Sequence, residues 1–576
     1  MVRVEEKSLF TEYLNRYLEE QAKKLYTEEV DHFLQKGDSE SLFEKVTAYQ
    51  DMLKESTETR LEEILQKEIP LHSFVGFPKW TIPQIHRPLP RSDDTHSNGV
   101  QQVGKHFLSL PALKKQYIDK ALLSLYENVA IQGGSKVVLF TWVMTDGLGD
   151  YFAQVETAKI LQERYPTLSI ELVTLLHKKM SCKSPSFPSY TIYYTTEKDL
   201  HFSHFPDEFF SHLCSADLIL QIPTQYLYWE ELLETIKAKK QRLPRWETVG
   251  EYGFIDSKWY HPGTHARCMG LHFLEKGIFI KKMPSQEEAL LLENHTLLSK
   301  IFPVDRLERD ALQEYRKVHR FYLAYLITKE GFALYMHALM KYLEKDDKDI
   351  DLCLNSIGFF ISALREGASL FHKYSIKEIE IHDESQVFVI PIAETGKKIR
   401  FFLFANISSS DFQKLLVLSE DFVGCRGDQS FTEAVSAEKV FFYDSPKHAR
   451  AFLKDLLALG RNRISSHKSA VEFLSLFIDP PSGGFGLPLT IEEVGERIGE
   501  LLQDPDTQVG IKQLSQILKE EYSVNQFLQH LVARALFFTK HPEGEKIEEF
   551  YLQEFIDGKK DLPQLAEAVS SLLTKQ

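Results

Sequence analysis

A strand–turn–helix–strand pattern between residues 137 and 176 constrains the fold of this chain more than any other feature. The apolar run that starts at Val137 is typical of a buried strand, and the turn after it, residues 146–150, holds two glycines and two aspartates. An amphipathic helix begins at Tyr151, and a second apolar segment, Ser169–Leu176, follows it directly. This spacing predicts a parallel βαβ unit, whose ligand lies where the first strand leads into the helix.

Length and charge limit what the protein can be. A chain of 576 residues is too long for one hydrophobic core, so several domains are expected. Its net charge of −15 argues against a nucleic acid or an anionic membrane as the main partner. No apolar run reaches the roughly 20 residues of a membrane-spanning helix, and the charged N-terminus lacks the apolar part of a secretory signal. Five widely separated cysteines predict reduced thiols and a cytoplasmic location, with a secreted effector as the alternative.

Two alternating regions of strands and helices predict an α/β fold with two Rossmann-like domains that face one another and helical extensions at both ends. Later in the chain, strands are predicted at 321–327, 350–354, 376–382, 387–392, 398–405, 421–425 and 439–443. The predicted domains are a helical N-terminal extension (1–67), a linker with a helical segment (68–130), two Rossmann-like domains (131–312 and 313–480) and a C-terminal helical region (481–576).

The first turn, Asp146-Gly-Leu-Gly-Asp150, does not match the common nucleotide-binding motifs. Phe152 stands where a dinucleotide fingerprint has its third glycine, and Ser169–Leu176 does not end in a ribose-binding acid. A P-loop is excluded because no Gly-Lys-Ser/Thr follows. What remains is a turn with carboxylates, in which Asp150 either caps the helix or acts as a base that deprotonates an acceptor.

A second loop, Arg426-Gly-Asp-Gln-Ser-Phe-Thr-Glu433, lies between a predicted strand and a predicted helix. Ser430 and Glu433 match the Ser-x-x-Glu capping box, which would explain the loop structurally. A diphosphate bound at the same helix N-terminus would explain it functionally, with Asp428 on ribose hydroxyls and Arg426 on phosphate. Both interpretations stay open on the local pattern.

Together the two loops resemble the GT-B glycosyltransferases, most closely the bacterial protein-arginine rhamnosyltransferases that modify elongation factor P. That family has an Asp-Asn-x-Gly-Asp turn similar to Asp146–Asp150 and an Arg-Gly-Glu-Asp-Ser-Phe loop similar to Arg426–Phe431. Heptosyltransferases resemble the first turn more loosely, through Gly149 and Asp150. Asp428 stands here in place of the family's glutamate and Gln429 in place of an acid, so the sugar and the nucleotide are left unassigned.

The resemblance implies an inverting enzyme that needs no metal. It makes 131–312 the acceptor domain and 313–480 the nucleotide-sugar domain. It also implies Asp150 as the base with Asp146 as its companion, and donor contacts from Gly147, Gly149, Arg426, Gly427, Asp428, Gln429, Ser430, Phe431 and Glu433.

Other polar residues are candidates for the same cleft, with ordinary loop polarity as the alternative. Two histidines four residues apart lack a third metal ligand, and the Pro-Gly between them argues against a single helix, so no metal is predicted. Two Asp-x-Asp spellings at 347–351 are predicted to be a solvated turn. The cleft candidates are Glu251, Tyr252, His261, His265, Arg267, Lys447 and His448.

The predicted function is that of an inverting, metal-independent glycosyltransferase with a nucleotide-diphosphate sugar as donor and no cofactor. Its acceptor is left open, and a protein side chain is one candidate. Two alternatives remain: a nucleotide-sugar epimerase of GT-B fold, and a non-catalytic binding or scaffold protein that keeps a degenerate transferase core.

Overall fold

The computed structural model divides the chain into two compact units. Unit 1 runs to Ile278 and resumes at Glu520, and unit 2 is Phe279–Lys519. Each unit has its own sheet of mainly parallel strands, so the predicted α/β class is confirmed. The structure describes residues 126–127, 130–131, 134–143, 149–177, 187–195, 202, 205–224, 229–239, 243–252, 268–271, 275–302, 304, 307–355, 364, 368–382, 387–404, 407–444, 449–478 and 490–542.

Unit 1 contains a five-stranded parallel sheet in the order β3-β2-β1-β4-β5. The chain first adds strands on one side of β1 and then adds β4 and β5 on the other side. Its strands are β1 Lys136–Val143, β2 Ser169–His177, β3 Tyr190–Thr195, β4 Leu218–Thr224 and β5 Arg245–Gly250, and its first helices are α1 Gly149–Arg164, α2 Asp207–Cys214 and α3 Trp229–Ala238.

A buried amide fixes helix α1 on the sheet. Gln154 is fully buried, and its Nε2 donates to the backbone oxygens of Leu139 on β1 (2.6 Å) and Val173 on β2 (3.0 Å). Its Oε1 accepts from the Thr174 hydroxyl at 2.7 Å. Because β1 and β2 are parallel neighbours joined through α1, the predicted βαβ unit is confirmed.

Unit 2 contains a seven-stranded sheet in the order β12-β11-β6-β7-β10-β8-β9, in which only β9 is antiparallel to its neighbour. All the strands predicted for this region are present, with ends shifted by three residues or fewer. They are β6 His319–Ala324, β7 Asp349–Asn355, β8 Ile376–His382, β9 Val387–Pro391, β10 Lys397–Phe404, β11 Phe422–Cys425 and β12 Val440–Tyr443.

Helices cover the sheet of unit 2 and continue into the C-terminal part of the chain. The described helices after α3 are α4 Gln286–Ala289, α5 His295–Ile301, α6 Arg309–Val318, α7 Lys329–Tyr342, α8 Ala368–Lys373, α9 Ser409–Leu418, α10 Gly427–Ser436, α11 Arg450–Arg463, α12 Lys468–Ile478, α13 Ile491–Gln503, α14 Pro505–Glu521 and α15 Val524–Lys540.

The units divide the chain differently from the predicted domains. Residues 279–312 belong to unit 2 because Asp411 of α9 accepts the backbone N–H groups of Glu293 (2.8 Å) and Asn294 (3.1 Å). Helix α15 belongs to unit 1, where it packs on α1, β4 and β5. The predicted C-terminal helical region is therefore shared between the two units, because its last described helix covers the first sheet.

The predicted solvated turn at 347–351 is wrong for Asp351. This aspartate lies within β7 and is fully buried. Its carboxylate accepts from Nε and Nη2 of Arg400, both at 2.6 Å, and from the Tyr315 hydroxyl. A buried carboxylate needs such partners because burial removes its hydration. The Asp-x-Asp spelling therefore reflects the start of a core strand.

Several predicted segments lie outside the described residues, namely the extension 1–67, residues 68–125 of the linker and residues 543–576. Among the helices that the structure describes, none is both long and apolar enough to cross a lipid bilayer.

Candidate functional site

Each sheet has one point where the strand order reverses. In unit 1 it lies between β1 and β4, and in unit 2 between β6 and β11. Ligands of open parallel sheets bind outside the carboxyl ends of the strands at these points, because the loops there diverge to opposite faces and leave a crevice. The first predicted loop follows β1, and the second follows β11. Both motifs therefore follow a strand at the position where the strand order of its sheet reverses, which is called the switch point below.

Asp150 is the second residue of α1 and lies in its first turn, half-buried. The positive end of the helix dipole favours the ionised carboxylate there. Gly149 before it is exposed, and an added Cβ would meet no atom of the described residues within 4 Å. Contacts with the described residues therefore do not require glycine at this position. Asp146 and Gly147 lie outside the described residues.

Two of the seven cleft candidates lie within the described residues, and the other five lie outside them. Glu251 and Tyr252 directly follow β5, at the same edge of the sheet as Asp150. Since β5 is two strands from β1, about 10 Å separates the strand ends. Tyr252 is buried and Glu251 is half-buried. The other candidates, His261, His265, Arg267, Lys447 and His448, lie outside the described residues.

The second loop does not form the predicted capping box. Helix α10 begins at Gly427 with Arg426 as its N-cap, and the Arg426 side chain makes no capping hydrogen bond. The Ser430 hydroxyl instead donates to the backbone oxygen of Arg426 (2.6 Å) and accepts from its N–H (2.8 Å). The prediction failed because the helix starts earlier than the apolar pattern suggests, which places Ser430 inside its first turns.

The backbone turns sharply where β11 meets α10. Arg426 is extended with φ −149°, and Gly427 has φ +77°, in the left-handed region. A side chain at this φ costs roughly 1 kcal/mol, which accounts for glycine at 427. Asp428 and Gln429 follow in the first turn, and both are half-buried.

Asp444, which follows β12, is a site residue that the sequence analysis missed. It is only 2% exposed, and its Oδ2 accepts from the backbone N–H groups of Ile327 and Thr328, both at 2.8 Å. The same oxygen accepts from Nη1 of Arg426 at 3.2 Å, and Oδ1 accepts from the Thr328 hydroxyl. Its position directly after a predicted parallel strand could have identified it.

The position of Asp444 distinguishes the N-terminus of α7 from that of α10 as a place where an anion could bind. Helices α7 and α10 both begin at the switch point of unit 2. The Asp444 carboxylate already lies against the start of α7, so close that a Cβ at Gly331 would overlap it. The N-cap residue of α10, Arg426, makes no side-chain cap among the described residues. The start of α10 therefore favours an anion more than the start of α7 does, since the N–H groups and the dipole there favour negative charge.

Two of the predicted donor contacts have structural roles. The Phe431 ring is fully buried and packs on Phe441, Tyr443 and Phe452. Glu433 is 1% exposed and forms an ion pair of 2.9 Å with Lys281, and both side chains are almost fully buried. Packing and ion pairing explain these two residues without a ligand.

This ion pair leads to a prediction on stability. Glu433→Gln should lower the free energy of unfolding by about 3 kcal/mol, because the Lys281 ammonium keeps its burial and loses its counter-charge. The dissociation constant for a nucleoside diphosphate should not change. Denaturation followed by calorimetric titration measures both quantities. Lys281→Met combined with Glu433→Leu should regain most of the lost stability, since no buried charge is then left unpaired. A large loss of nucleotide affinity in Glu433→Gln would instead support the predicted donor contact.

Tyr443 is a second residue that the sequence analysis did not select. It ends β12 and is 1% exposed, and its hydroxyl lies beside the backbone N–H of Gly427. Burial and then the negative charge of Asp428 raise the pKa of this hydroxyl well above its ordinary value, while the Gly427 backbone lowers it. The hydroxyl therefore lies beside the first turn of α10 and keeps its proton.

Among the described residues no group of three or more histidine, cysteine, aspartate or glutamate side chains is placed to hold a metal ion.

No protein-family model matches the chain, and no curated protein matches it. Similar solved structures include the N-terminal domain of Candida albicans trehalose-6-phosphate phosphatase, at 9% identity and a TM-score of 0.36, covering 70% of this chain and 97% of that one. Anabaena Alr3699/HepE in complex with UDP and glucose is 12% identical with a TM-score of 0.34, covering 70% and 99%. An alpha-glucosyltransferase in complex with UDP and DNA is 13% identical with a TM-score of 0.33, covering 68% and 96%.

At these identities and TM-scores the likeness assigns no role to the chain. The resemblance to protein-arginine rhamnosyltransferases stays a prediction from the two motifs.

Proposed function

We propose that the chain is an inverting, metal-independent glycosyltransferase whose donor is a nucleoside diphosphate sugar. The observation that carries this proposal is the position of the two motifs. One switch point presents the Asp150 carboxylate, and the other presents the N-terminus of α10 beside Arg426. A base and an anion site are the two groups that transfer from such a donor needs.

The α10 end would bind the diphosphate of the donor. Its backbone N–H groups and the helix dipole stabilise the negative charge that develops on the departing phosphate, which is the task of a metal ion in other enzymes. Among the described residues Arg426 uses Nη1 on Asp444, and its other N–H groups would bind phosphate oxygens. Asp428, in the first turn, would accept hydrogen bonds from ribose hydroxyls.

Asp150 would act as the base. It takes a proton from the acceptor hydroxyl or nitrogen as that atom forms a bond to the anomeric carbon. The bond between this carbon and the diphosphate oxygen breaks, and its electron pair leaves with the nucleoside diphosphate. One such displacement inverts the anomeric configuration. The helix dipole that keeps Asp150 ionised also weakens it as a base, so the positioning of the acceptor must supply part of the rate.

A ligand screen tests the proposal. Thermal unfolding with a panel of nucleoside diphosphates and their sugars should show a rise in melting temperature for one base, since ligands that bind only the folded state stabilise it. The rise should persist in EDTA. With an acceptor supplied, NMR of the product should show the opposite anomeric configuration to the donor. No stabilisation by any of these ligands, or stabilisation only with a divalent cation, would contradict the proposal.

A further inference from the structure

The edge strand β9, Val387–Pro391, exposes an unusual amount of apolar surface. All five of its residues are exposed, including Val387 (56%), Phe388 (50%) and Val389 (54%). It is the last strand of the seven-stranded sheet, and among the described residues no strand pairs with its outer side. Soluble proteins usually protect such edges with charges or a covering element, so a long apolar edge marks a pairing surface.

The register with β8 shows which backbone groups face outward. Ile392 is opposite Lys377, and its N–H donates to the Lys377 oxygen at 2.8 Å. In an antiparallel pair, residues that bond to the neighbour alternate with residues whose N–H and C=O point away. Ile390 and Phe388 therefore bond to β8, while the backbone groups of Val387, Val389 and Pro391 point outward. Proline fits this position because its missing N–H is not needed by β8.

We propose that β9 pairs with β9 of a second copy of this chain, antiparallel, about a two-fold axis at Val389. In this register Val389 lies opposite its own counterpart, and the two residues exchange both backbone hydrogen bonds. The outward N–H of Val387 donates to the Pro391 oxygen of the other copy. On the opposite face of the sheet Phe388 lies across from Ile390, an aromatic–β-branched pair that stabilises antiparallel strands.

The strand itself favours a second copy as the partner. None of its five residues carries a charge, so no like charges meet within the paired strands. The two-fold axis at Val389 aligns the outward backbone groups of the two strands. It also places Val389 opposite Val389 and Phe388 opposite Ile390, as an isologous interface requires. Phe388 and Ile390 lie beside Ile381 and Ile379 of β8, which are buried, so the pairing extends an apolar face of the core. Two paired five-residue strands bury less than the roughly 1,200 Å² of a stable interface. We therefore expect a reversible dimer that depends on concentration.

Sedimentation velocity of the full chain over a wide range of concentration tests this inference. The wild-type protein should shift from monomer to dimer as its concentration rises. Val389→Lys should remain monomeric because it places two ammonium groups opposite each other, and Val389→Glu should remain monomeric for the same reason with carboxylates. An equimolar mixture of the two variants should dimerise again, because lysine then faces glutamate. Only pairing centred at this residue predicts that recovery.

Two further variants separate pairing from folding. Val389→Thr keeps the outward N–H and the preference for strands, so it should dimerise like the wild-type protein. Val389→Pro removes only an outward N–H, so it should fold with an unchanged melting temperature and stay monomeric. A wild-type chain that is monomeric at all concentrations overturns the inference. So does a dimer that survives in both charged variants, or a mixture of them that stays monomeric.

Discussion

Replacing Asp150 with asparagine is expected to lower kcat for glycosyl transfer by about 10²–10⁴-fold, the usual contribution of a general base. The amide has nearly the same shape but cannot accept the acceptor's proton. Because the proposed donor site is at α10 in unit 2 and Asp150 is in unit 1, the dissociation constant for the nucleoside diphosphate should stay unchanged. Steady-state kinetics and calorimetric titration of the same preparation measure the two effects separately.

Glu163→Gln is the matched control, since it removes a carboxylate from the exposed last turn of the same helix. It should transfer sugar at the wild-type rate. If Asp150→Asn retains full turnover, Asp150 is only a helix-capping residue and the base must be sought elsewhere. If it loses donor affinity together with turnover, the carboxylate acts in donor binding.

Asp444→Ala is expected to lower the free energy of unfolding by about 3–5 kcal/mol, the range for breaking a buried charge pair from one side. The substitution leaves the N–H groups of Ile327 and Thr328 and the Arg426 guanidinium without their shared acceptor. Guanidinium denaturation measures the change. Asp444→Asn should cost about half as much, because the amide oxygen still accepts the two backbone N–H groups, while the charge and the acceptor of the Thr328 hydroxyl are lost.

Asp421→Ala provides the control for a general effect of removing an aspartate from unit 2. Asp421 pairs with Lys512 at 2.6 Å, but both side chains are more than 40% exposed. The exposed pair with Lys512 contributes about 0–1 kcal/mol. Asp421 also lies 4.0 Å from the buried Lys439 ammonium, so the control should change the stability by less than Asp444→Ala does. Equal losses of unfolding free energy in Asp444→Ala and Asp421→Ala would show that the buried contacts of Asp444 at the switch point do not stabilise the fold.

Local patterns predicted most of the secondary structure. Nearly every residue of β1 is buried, as expected for a strand of a sheet that is covered on both faces, and its apolar run makes the strand recognisable from the sequence. The same logic failed for Asp351, which looked like a solvated residue because its partners, Arg400 and Tyr315, are distant in sequence.

Within the site, the sequence identified the two loops but not the division of roles inside them. Asp150 and the Arg426–Gln429 turn follow strands, and the parallel topology that brings such turns to one edge of a sheet is predictable from a βαβ pattern. The sequence could not show that Glu433 pairs with Lys281, because that contact joins segments 152 residues apart.

The sequence by itself determined which segments form strands and helices and which turns carry glycine and carboxylates, since these depend on neighbours within a few residues. Only the tertiary structure decided which of two helix N-termini is open to an anion. Asp444 already lies against α7, whereas the N-cap residue of α10 makes no side-chain cap in the described part of the chain. That choice depends on one carboxylate brought from β12 to the start of α7, more than 110 residues away along the chain, and only the packing of the sheet brings them together.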